Sequence, residues 1–517
     1  MPIRKVMKSI VIFYSDKNSS YAEKKAFGGK SARERSAEWA EKCGYKAFTV
    51  SSEQAGTIKE LFSKMSQICE KEGAESVVFS YDDLPFLNQE LTKALAASHF
   101  EYKAEYSYAD GYPYGFSPEI IHSGTLVILA SLAENSFADE GNKAVSRTGI
   151  FDFIKKDINS FEVNSILADD DWRLYRFCFD CGKKENYIAS TKLFEMLQKS
   201  GGENSADELS SLASKNPEIL KTIPGFYNIQ ISSRPSGKIL YSPYEAFYQK
   251  KYGVDPLESN DFMPFEKISS LIEKIADFSP ECVISLSAWG EAFYHPDLIK
   301  IIEKILSYQG LSVFIETNAV FISDELCSAL KNCVENALER KNGWQKLMIA
   351  VSLDAFSDET YQKIHQNKAS LEQATSCVTK LCSVLPDMVY PQFVRITDNE
   401  SELESFFRFW NEKSSPSLGN LIIQKYNNFC GLLPERKTAD LSPLERNVCW
   451  HLRRDMTILL DGTVPLCHCH GFEKIGNVFE EPLEEVWNKF NIELKNHIEN
   501  IYCVKCRNCD EYYTFNF

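Results

Sequence analysis

The residues best suited to chemistry in this chain are cysteines, and they are unevenly placed. Six of the 16 fall in the last 69 residues: Cys449, Cys467, Cys469, Cys503, Cys506 and Cys509. Between Cys449 and Cys467, apolar residues alternate around Asp461-Gly462, the signature of a tight hairpin turn that would carry Cys467 back toward Cys449. Near the chain end, Cys503-x2-Cys506-x2-Cys509 supplies further thiols. Two separated cysteines and a C-x2-C converging on one point make four thiolates, which suits zinc or an iron–sulfur cluster; spacing alone does not choose between them. The other ten cysteines, such as Cys282 and Cys327, sit mostly in apolar patterns and read as small buried hydrophobes. Cys178-x2-Cys181 is an isolated pair and a weak metal signal.

A second group of candidates lies toward the N-terminus. Gly28-Gly29-Lys30-Ser31 opens a helical pattern, and Asp82-Asp83-Leu84-Pro85 follows an apolar run. Backbone N–H groups at a helix start attract phosphate and carboxylates suit Mg²⁺, but the glycines lack the spacing of a Walker motif. A turn, a helix cap and a solvated acidic loop account for the same residues. Tyr106–Gly115 is dense in aromatics and suits either stacking on a base or sugar or a rigid packed turn. His99 and His122 are isolated and read as satisfied histidines rather than ligands.

These residues need elements to hold them. Ser9–Tyr14, Ala47–Ser51 and Val77–Ser80 read as strands, with helical spacing in Ser31–Lys42 and Ile58–Lys71 between them, a parallel three-layer α/β pattern over residues 1–215. Gly201-Gly202-Glu203-Asn204-Ser205 and the polar stretch to Pro217 read as a linker. From 216 to 445 a second series alternates strands (Phe226–Ile231, Cys282–Ser287, Leu311–Glu316, Leu347–Leu353, Met388–Ile396, Leu421–Gln424) with helices (Phe265–Ala276, Pro296–Tyr308, Asp324–Glu335, Leu371–Val384, Glu400–Trp410). This predicts a partly closed parallel (β/α)6 barrel with its working residues on the loops after the strands. Residues 446–517 form a small cysteine-rich tail.

Composition bounds the partners. With 44% hydrophobic and 25% charged residues the balance is that of a globular protein. A formal net charge of −16 argues against nucleic acid or an anionic membrane surface. The N-terminal apolar run Ser9–Tyr14 is too short for a signal-peptide core, and no stretch reaches the roughly 18 apolar residues of a membrane span. The expectation is a cytoplasmic protein whose cysteines are reduced.

The tail resembles a SPASM domain, the auxiliary iron–sulfur domain of many radical-SAM enzymes. The resemblance rests on Cys449, the Asp461-Gly462-x-Val464-x2-Cys467 stretch, Ile475-Gly476-Asn477-Val478, Leu483-x2-Val486-Trp487 and Cys506-Arg507-Asn508-Cys509-Asp510. It implies one [4Fe–4S] cluster, the six cysteines being arranged as in the short, single-cluster versions. The ligands it implies are Cys449, Cys467, Cys506 and Cys509, with Cys503 as the alternate and Cys469, His468 and His470 as neighbours.

The barrel resembles a radical-SAM domain. Gly290-Glu291 with His295-Pro296, Thr317-Asn318-Ala319, Ser352-Leu353-Asp354, Arg395 and Gln424 stand where that family holds S-adenosylmethionine (SAM) or substrate. The SAM-pocket remnant is thus Gly290, Glu291, Thr317, Asn318, Ser352 and Arg395. The whole arrangement is most similar to the spiro-SPASM family, and Asp82-Asp83 with Gly28-Gly29-Lys30 faintly resembles a sugar-nucleotide nucleotidyltransferase.

The family's C-x3-C-x2-C is absent. Arg234 and Pro243 fix the register, and the three cysteine positions fall on Pro235, Ile239 and Ser242. Proline and isoleucine offer no ligand and serine is a poor substitute for thiolate on iron. SAM is therefore a doubtful ligand. The expected role is an iron–sulfur scaffold or electron carrier on a non-catalytic barrel, acting with a small molecule, peptide or protein. The alternatives are a divergent radical-SAM enzyme modifying a peptide or small molecule, and a nucleotide-dependent transferase in the N-terminal domain.

Overall fold

A computed structural model describes residues 8–201, 205–318, 322–341, 343–366 and 369–514; Ala319 and the linker residues 202–204 lie outside them. The chain divides into two compact units, Met1–Thr222 and Ile223–Phe517.

The first unit is built on strands whose apolar runs demand cover on both faces. Its strands are β1 (Ser9–Ser15), β2 (Lys46–Ser51), β3 (Ser76–Tyr81), β4 (Tyr106–Asp110), β5 (Glu119–His122) and β6 (Val163–Leu167), in the order β2-β1-β3-β5-β4-β6. β3 is buried along its whole length. Helices Ala32–Lys42, Ile58–Glu72, Gln89–Glu101 and Ser123–Glu134 cover the sheet in a three-layer α/β arrangement, contributing Trp39, Phe62, Leu95 and Leu126 to one core. Ser31 and Thr57 start the first two with capping boxes closed by Glu34 and Glu60, which satisfy N–H groups left over at a helix start. The sheet is not wholly parallel, because β5 runs antiparallel to both β3 and β4. The expected linker is also corrected: Ala206–Lys215 is a helix, capped by Ser205 and Glu208, that buries Leu209 and Ala213.

The second unit holds a curled parallel half-barrel. Its strands are β7 (Phe226–Ile229), β8 (Cys282–Ser285), β9 (Leu311–Thr317), β10 (Leu347–Ser352), β11 (Val389–Arg395), β12 (Ile422–Lys425) and β13 (Asp455–Ile458), in the order β12-β11-β10-β9-β8-β7-β13. β8 and β10 are buried throughout, as parallel strands between helices and a filled interior must be. Helix Phe265–Phe278 buries Ile268, Leu271, Ile272 and Ile275 at helical spacing. Helices Tyr244–Tyr252 and Asp358–His365 were not anticipated by the pattern.

The seventh strand comes from the cysteine-rich tail. β13 pairs in parallel with β7, from Asp455 opposite Phe226 to Ile458 opposite Ile229. The turn expected at Asp461-Gly462 is present, with the N–H of Leu459 bonded to the carbonyl of Thr463 and Gly462 at φ +82°. Its two arms nevertheless part. β13 joins the barrel sheet, whereas β14 (Thr463–Val464) pairs antiparallel with β15 (Gly476–Asn477). No helix among the described residues is long and apolar enough to cross a membrane.

Candidate metal centre

The tail wraps its thiols around one point. β13 and the turn at Gly462 deliver Cys467, the short helix His451–Arg454 follows Cys449, and the helix Val504–Arg507 carries Cys506 just ahead of Cys509. Cys449, Cys467, Cys469, Cys506 and Cys509 line one small cavity. Burial pushes the Cys449 and Cys506 thiols up. Cys467 is drawn down to about 7, first by a hydrogen bond from Cys469 and against the cost of burial. Cys509 is held far below the usual thiol range by hydrogen bonds from Cys430 and Cys469. A group of sulfurs that stabilises thiolate at two of its members is suited to a cation or an iron–sulfur cluster. The donor set, five thiols around a cavity that His451, His468 and His497 also line, fits a cluster held by thiolates.

The arrangement also contains a residue that the spacing missed. Cys430 lies in the loop after β12, and its sulfur, with those of Cys469 and Cys509, forms a group mutually within 4.8 Å. Phe429, Cys430 and Gly431 all have positive φ, 51°, 61° and 84°, so the loop is bent sharply to present the thiol. Nothing in the spacing of Cys430 marks it; only the Gly431-x2-Pro434 context hinted at a turn. Cys503 is exposed at the N-cap of its helix, where its sulfur accepts from the N–H of Cys506 at 3.4 Å. Around the cavity, Arg446 donates to the carbonyls of Cys506 and Cys509, and the two nitrogens of His451 meet Asp455 Oδ2 and the carbonyl of Glu511.

The residues expected to shape a SAM pocket lie at or just beyond the C-terminal ends of strands β8 to β11, and Glu291 meets Thr317 there. The Glu291 carboxylate accepts from the N–H of Phe293 at 3.1 Å and from Thr317 Oγ1 at 2.9 Å. Burial raises Glu291 to about 7. Gly290 is required by contact: a Cβ there would sit 1.9 Å from the carbonyl oxygen of Ser232. Asn318 Nδ2 donates to Ser236 Oγ at 2.6 Å, Gln392 lies between Ser352 and Glu316, and Arg395 is paired with Glu400.

The loop that would carry the C-x3-C-x2-C lies across this mouth. Tyr241 donates to Asp354 Oδ2 at 2.6 Å, and the N–H of Leu240 donates to the carbonyl of Ile364 at 2.9 Å. Ile239, Leu240 and Tyr241 pack on the buried group Ile364, Val394, Ile396 and Tyr426. Pro235, Ile239 and Ser242 stand at the three positions expected to correspond to cysteines, so the loop carries no thiol.

In the first unit, the acidic pair after β3 is occupied from within. Arg33 Nε lies 3.0 Å from Asp82 Oδ2. Arg147 spans both oxygens of Asp83 at 3.0 and 2.6 Å, and Ser19 donates to the same carboxylate at 2.7 Å. Lys30 is ion-paired with Glu38, and Phe194 packs over Gly28. Cys178 donates to Asp180 and Cys181 is buried, with no third metal ligand gathered on them among the described residues. His99 bonds Ser107 and burial lowers it to about 4, while His122 accepts from the N–H of Gly124.

Comparison with known proteins places these features. Residues 248–409 match the radical SAM superfamily and residues 449–510 match the iron–sulfur cluster-binding SPASM domain. An uncharacterized protein of Treponema pallidum (strain Nichols) is 35% identical over 379 residues, covering 71% of this chain and 98% of its own length. Among solved structures, Streptococcus suis SuiB bound to the precursor peptide SuiA aligns at 14% identity, covering 67% of this chain and 88% of its own, with a TM-score of 0.41. A cytidylyltransferase from Leptospira borgpetersenii aligns at 15% identity over 41% of this chain and 96% of its own, with a TM-score of 0.33.

Proposed function

Because the chain belongs to the radical-SAM superfamily and carries its SPASM iron–sulfur domain, we propose that it works through one [4Fe–4S] cluster in the tail, on a barrel that has lost reductive SAM cleavage. The observation that carries the reading is the loop 232–243. Its would-be ligand positions are Pro235, Ile239 and Ser242, and Tyr241 is bonded to Asp354 across the mouth that SAM would enter. Reductive cleavage needs an iron with an open position, and this loop has no thiolates with which to hold one.

Cys449, Cys467, Cys506 and Cys509 would hold the tail cluster, which when bound supplies one-electron transfer. Buried apolar groups around the cavity, Leu452 and Leu466 among them, keep water from the sulfurs. Gly290, Glu291, Thr317, Asn318, Ser352 and Arg395 are then structural remnants, the polar side chains among them hydrogen-bonded to other residues of the protein rather than held open for a ligand. The barrel acts as a scaffold, with an electron partner that is a protein, a peptide or a small molecule. Free cysteines throughout the chain suit a reducing, cytoplasmic setting. A transferase role for the first unit has less support, since Arg33 and Arg147 stand where Asp82 and Asp83 would need Mg²⁺.

The test is to reconstitute the full chain anaerobically with iron and sulfide, reduce it with dithionite, add SAM and look for 5′-deoxyadenosine. The expected result is one [4Fe–4S]⁺ signal by electron paramagnetic resonance, unchanged by SAM, and no 5′-deoxyadenosine. Repeated turnover that persists when Cys467 is replaced by Ala would overturn the reading, because a second cluster would have to assemble elsewhere.

A further inference from the structure

A [4Fe–4S] cluster takes four cysteines, and the tail centre gathers more thiols than that. With Cys449, Cys467, Cys506 and Cys509 assigned, Cys430 and Cys469 are left over, and their sulfurs lie within 4.8 Å of each other and of Cys509 Sγ. The two differ in exposure. Cys469 is 2% exposed, whereas Cys430 is half-buried and two residues from the exposed Leu432. Cys430 lies outside the span 449–510 that matches the SPASM domain and reaches the centre from the barrel, in the loop after β12. One amide ties the two sides together: Asn427 Nδ2 donates to Cys469 Sγ at 3.8 Å, and its Oδ1 accepts from the N–H of Phe429 at 2.7 Å. Asn428 Oδ1 accepts from the N–H of Gly431 at 3.1 Å, so the loop is held on either side of Cys430. We propose that Cys430 and Cys469 are a redox-active dithiol that reduces disulfide substrates and is restored by electrons from the tail cluster.

Thiol–disulfide exchange needs one sulfur that a substrate can reach and a second close behind it, which is how these two stand. The Cys430 thiolate attacks one sulfur of the substrate disulfide, the substrate S–S bond breaks, and one half leaves. Cys469 then attacks Cys430 Sγ, the second half leaves, and a Cys430–Cys469 disulfide remains. The two thiol protons of the pair end on the two leaving groups. The new S–S bond is about 2.05 Å long, and sulfurs within 4.8 Å of one another reach it by rotation of the two side chains. Two electrons and two protons return that disulfide to two thiols. The electrons arrive one at a time by way of the cluster, whose ligand Cys509 belongs to the same group of sulfurs. The inference rests on the cluster reading for its electron supply and adds to it a class of substrate, the disulfides.

The test uses the full chain, reconstituted anaerobically and freed of excess reductant, with oxidised glutathione as the probe. After free thiols are blocked, trypsin should release the peptide Tyr426–Arg436 joined to Asp455–Lys474, and fragmentation should place the bond between Cys430 and Cys469. With photoreduced deazaflavin as a continuing electron source, iron-loaded protein should convert oxidised glutathione to thiol over many turnovers. Protein left without iron should form the link and not turn over. Cys430→Ser and Cys469→Ser should each keep the iron and the paramagnetic signal, lose the link, and fall to the rate without protein. Cys469→Ser should also carry one glutathione on Cys430, since nothing remains to release the mixed disulfide. Loss of iron in either variant would overturn the proposal and make that residue a cluster ligand. So would iron-loaded wild-type protein that forms no Cys430–Cys469 link, or equal turnover with and without iron. The two readings fail in different ways: iron present without the link sinks the dithiol alone, whereas a link in protein that never takes up iron sinks the cluster reading and, with it, the electron source.

Discussion

Replacing Arg147 by Met tests whether the acidic pair of the first unit is a closed structural network. Asp83 and Asp180 have side chains 0% and 2% exposed, and Arg147 bonds the first at 2.6 and 3.0 Å and lies 3.8 Å from the second. Met keeps much of the side-chain volume over Tyr81 but removes the charge. Breaking a buried pair by removing one partner costs about 3–5 kcal/mol, because the other charge is left uncompensated. For a unit of 222 residues, at about 2–4 °C per kcal/mol, that is a fall in Tm of roughly 6–20 °C. The pH dependence gives a second check. Burial alone would raise Asp180, but Arg147, together with the hydrogen bonds from Cys178 and the N–H of Gly182 and the charge of Lys183, outweighs it and Asp180 is held low. In the native protein its contribution is present above the unfolded carboxyl range and is lost as pH falls through the lower folded value. Without Arg147 the largest lowering influence on Asp180 is gone and burial favours its protonated form, so the deficit is largest at neutral pH and shrinks as pH falls toward about 4. Adding Asp83→Asn should recover part of the loss, since a neutral amide no longer needs the cation. The assay is thermal unfolding of the full chain from pH 4 to pH 8. A loss below about 1 kcal/mol, or one independent of pH, would refute the network and return Asp82-Asp83 to candidacy as a metal site.

Two further outcomes are expected. Cys467→Ala should remove the brown absorbance and the bound iron, about four per chain in the native protein, and leave the tail protease-sensitive; full iron retention would sink the ligand assignment. Glu291 is raised from 4.5 to about 7 by burial, so the folded state binds its proton more tightly than the unfolded state and stability falls as pH rises between those values. Glu291→Gln should flatten that slope and stabilise the protein at pH 8 by up to ~3 kcal/mol; an unchanged pH profile in denaturant unfolding would show that the carboxyl is not confined as described.

Much of the barrel was legible because parallel strands buried on both faces are continuous apolar runs. Leu347–Ser352 is one, and Leu371–Val384 announced itself by helical spacing behind the Ser370–Gln373 capping box. What failed were features decided by tertiary partners. Asp455–Ile458 has the alternation of a hairpin arm, and only the open edge of β7 directs it into the barrel sheet. The direction of β5 carries no sequence mark. Ala206–Lys215 was hidden among polar residues because its buried stripe, Ala206, Leu209, Ser210 and Ala213, holds only one large apolar side chain. At the metal centre, the motif cysteines could be read from spacing, whereas the placing of Cys430 depends on three consecutive residues of positive φ.

The pairing of β13 with β7 gives the tail a duty that has nothing to do with electrons. A chain stopped before Asp455 would leave Phe226–Ile229 as a bare edge, its N–H and C=O groups open to pairing with another molecule. Truncations meant to ask what the metal does would therefore report insolubility first, and only point substitutions at the thiols can separate the two. The same constraint acts over evolutionary time: a lineage that stopped using the metal would still have to keep the strand, so persistence of this segment is by itself no sign that its thiols are in use.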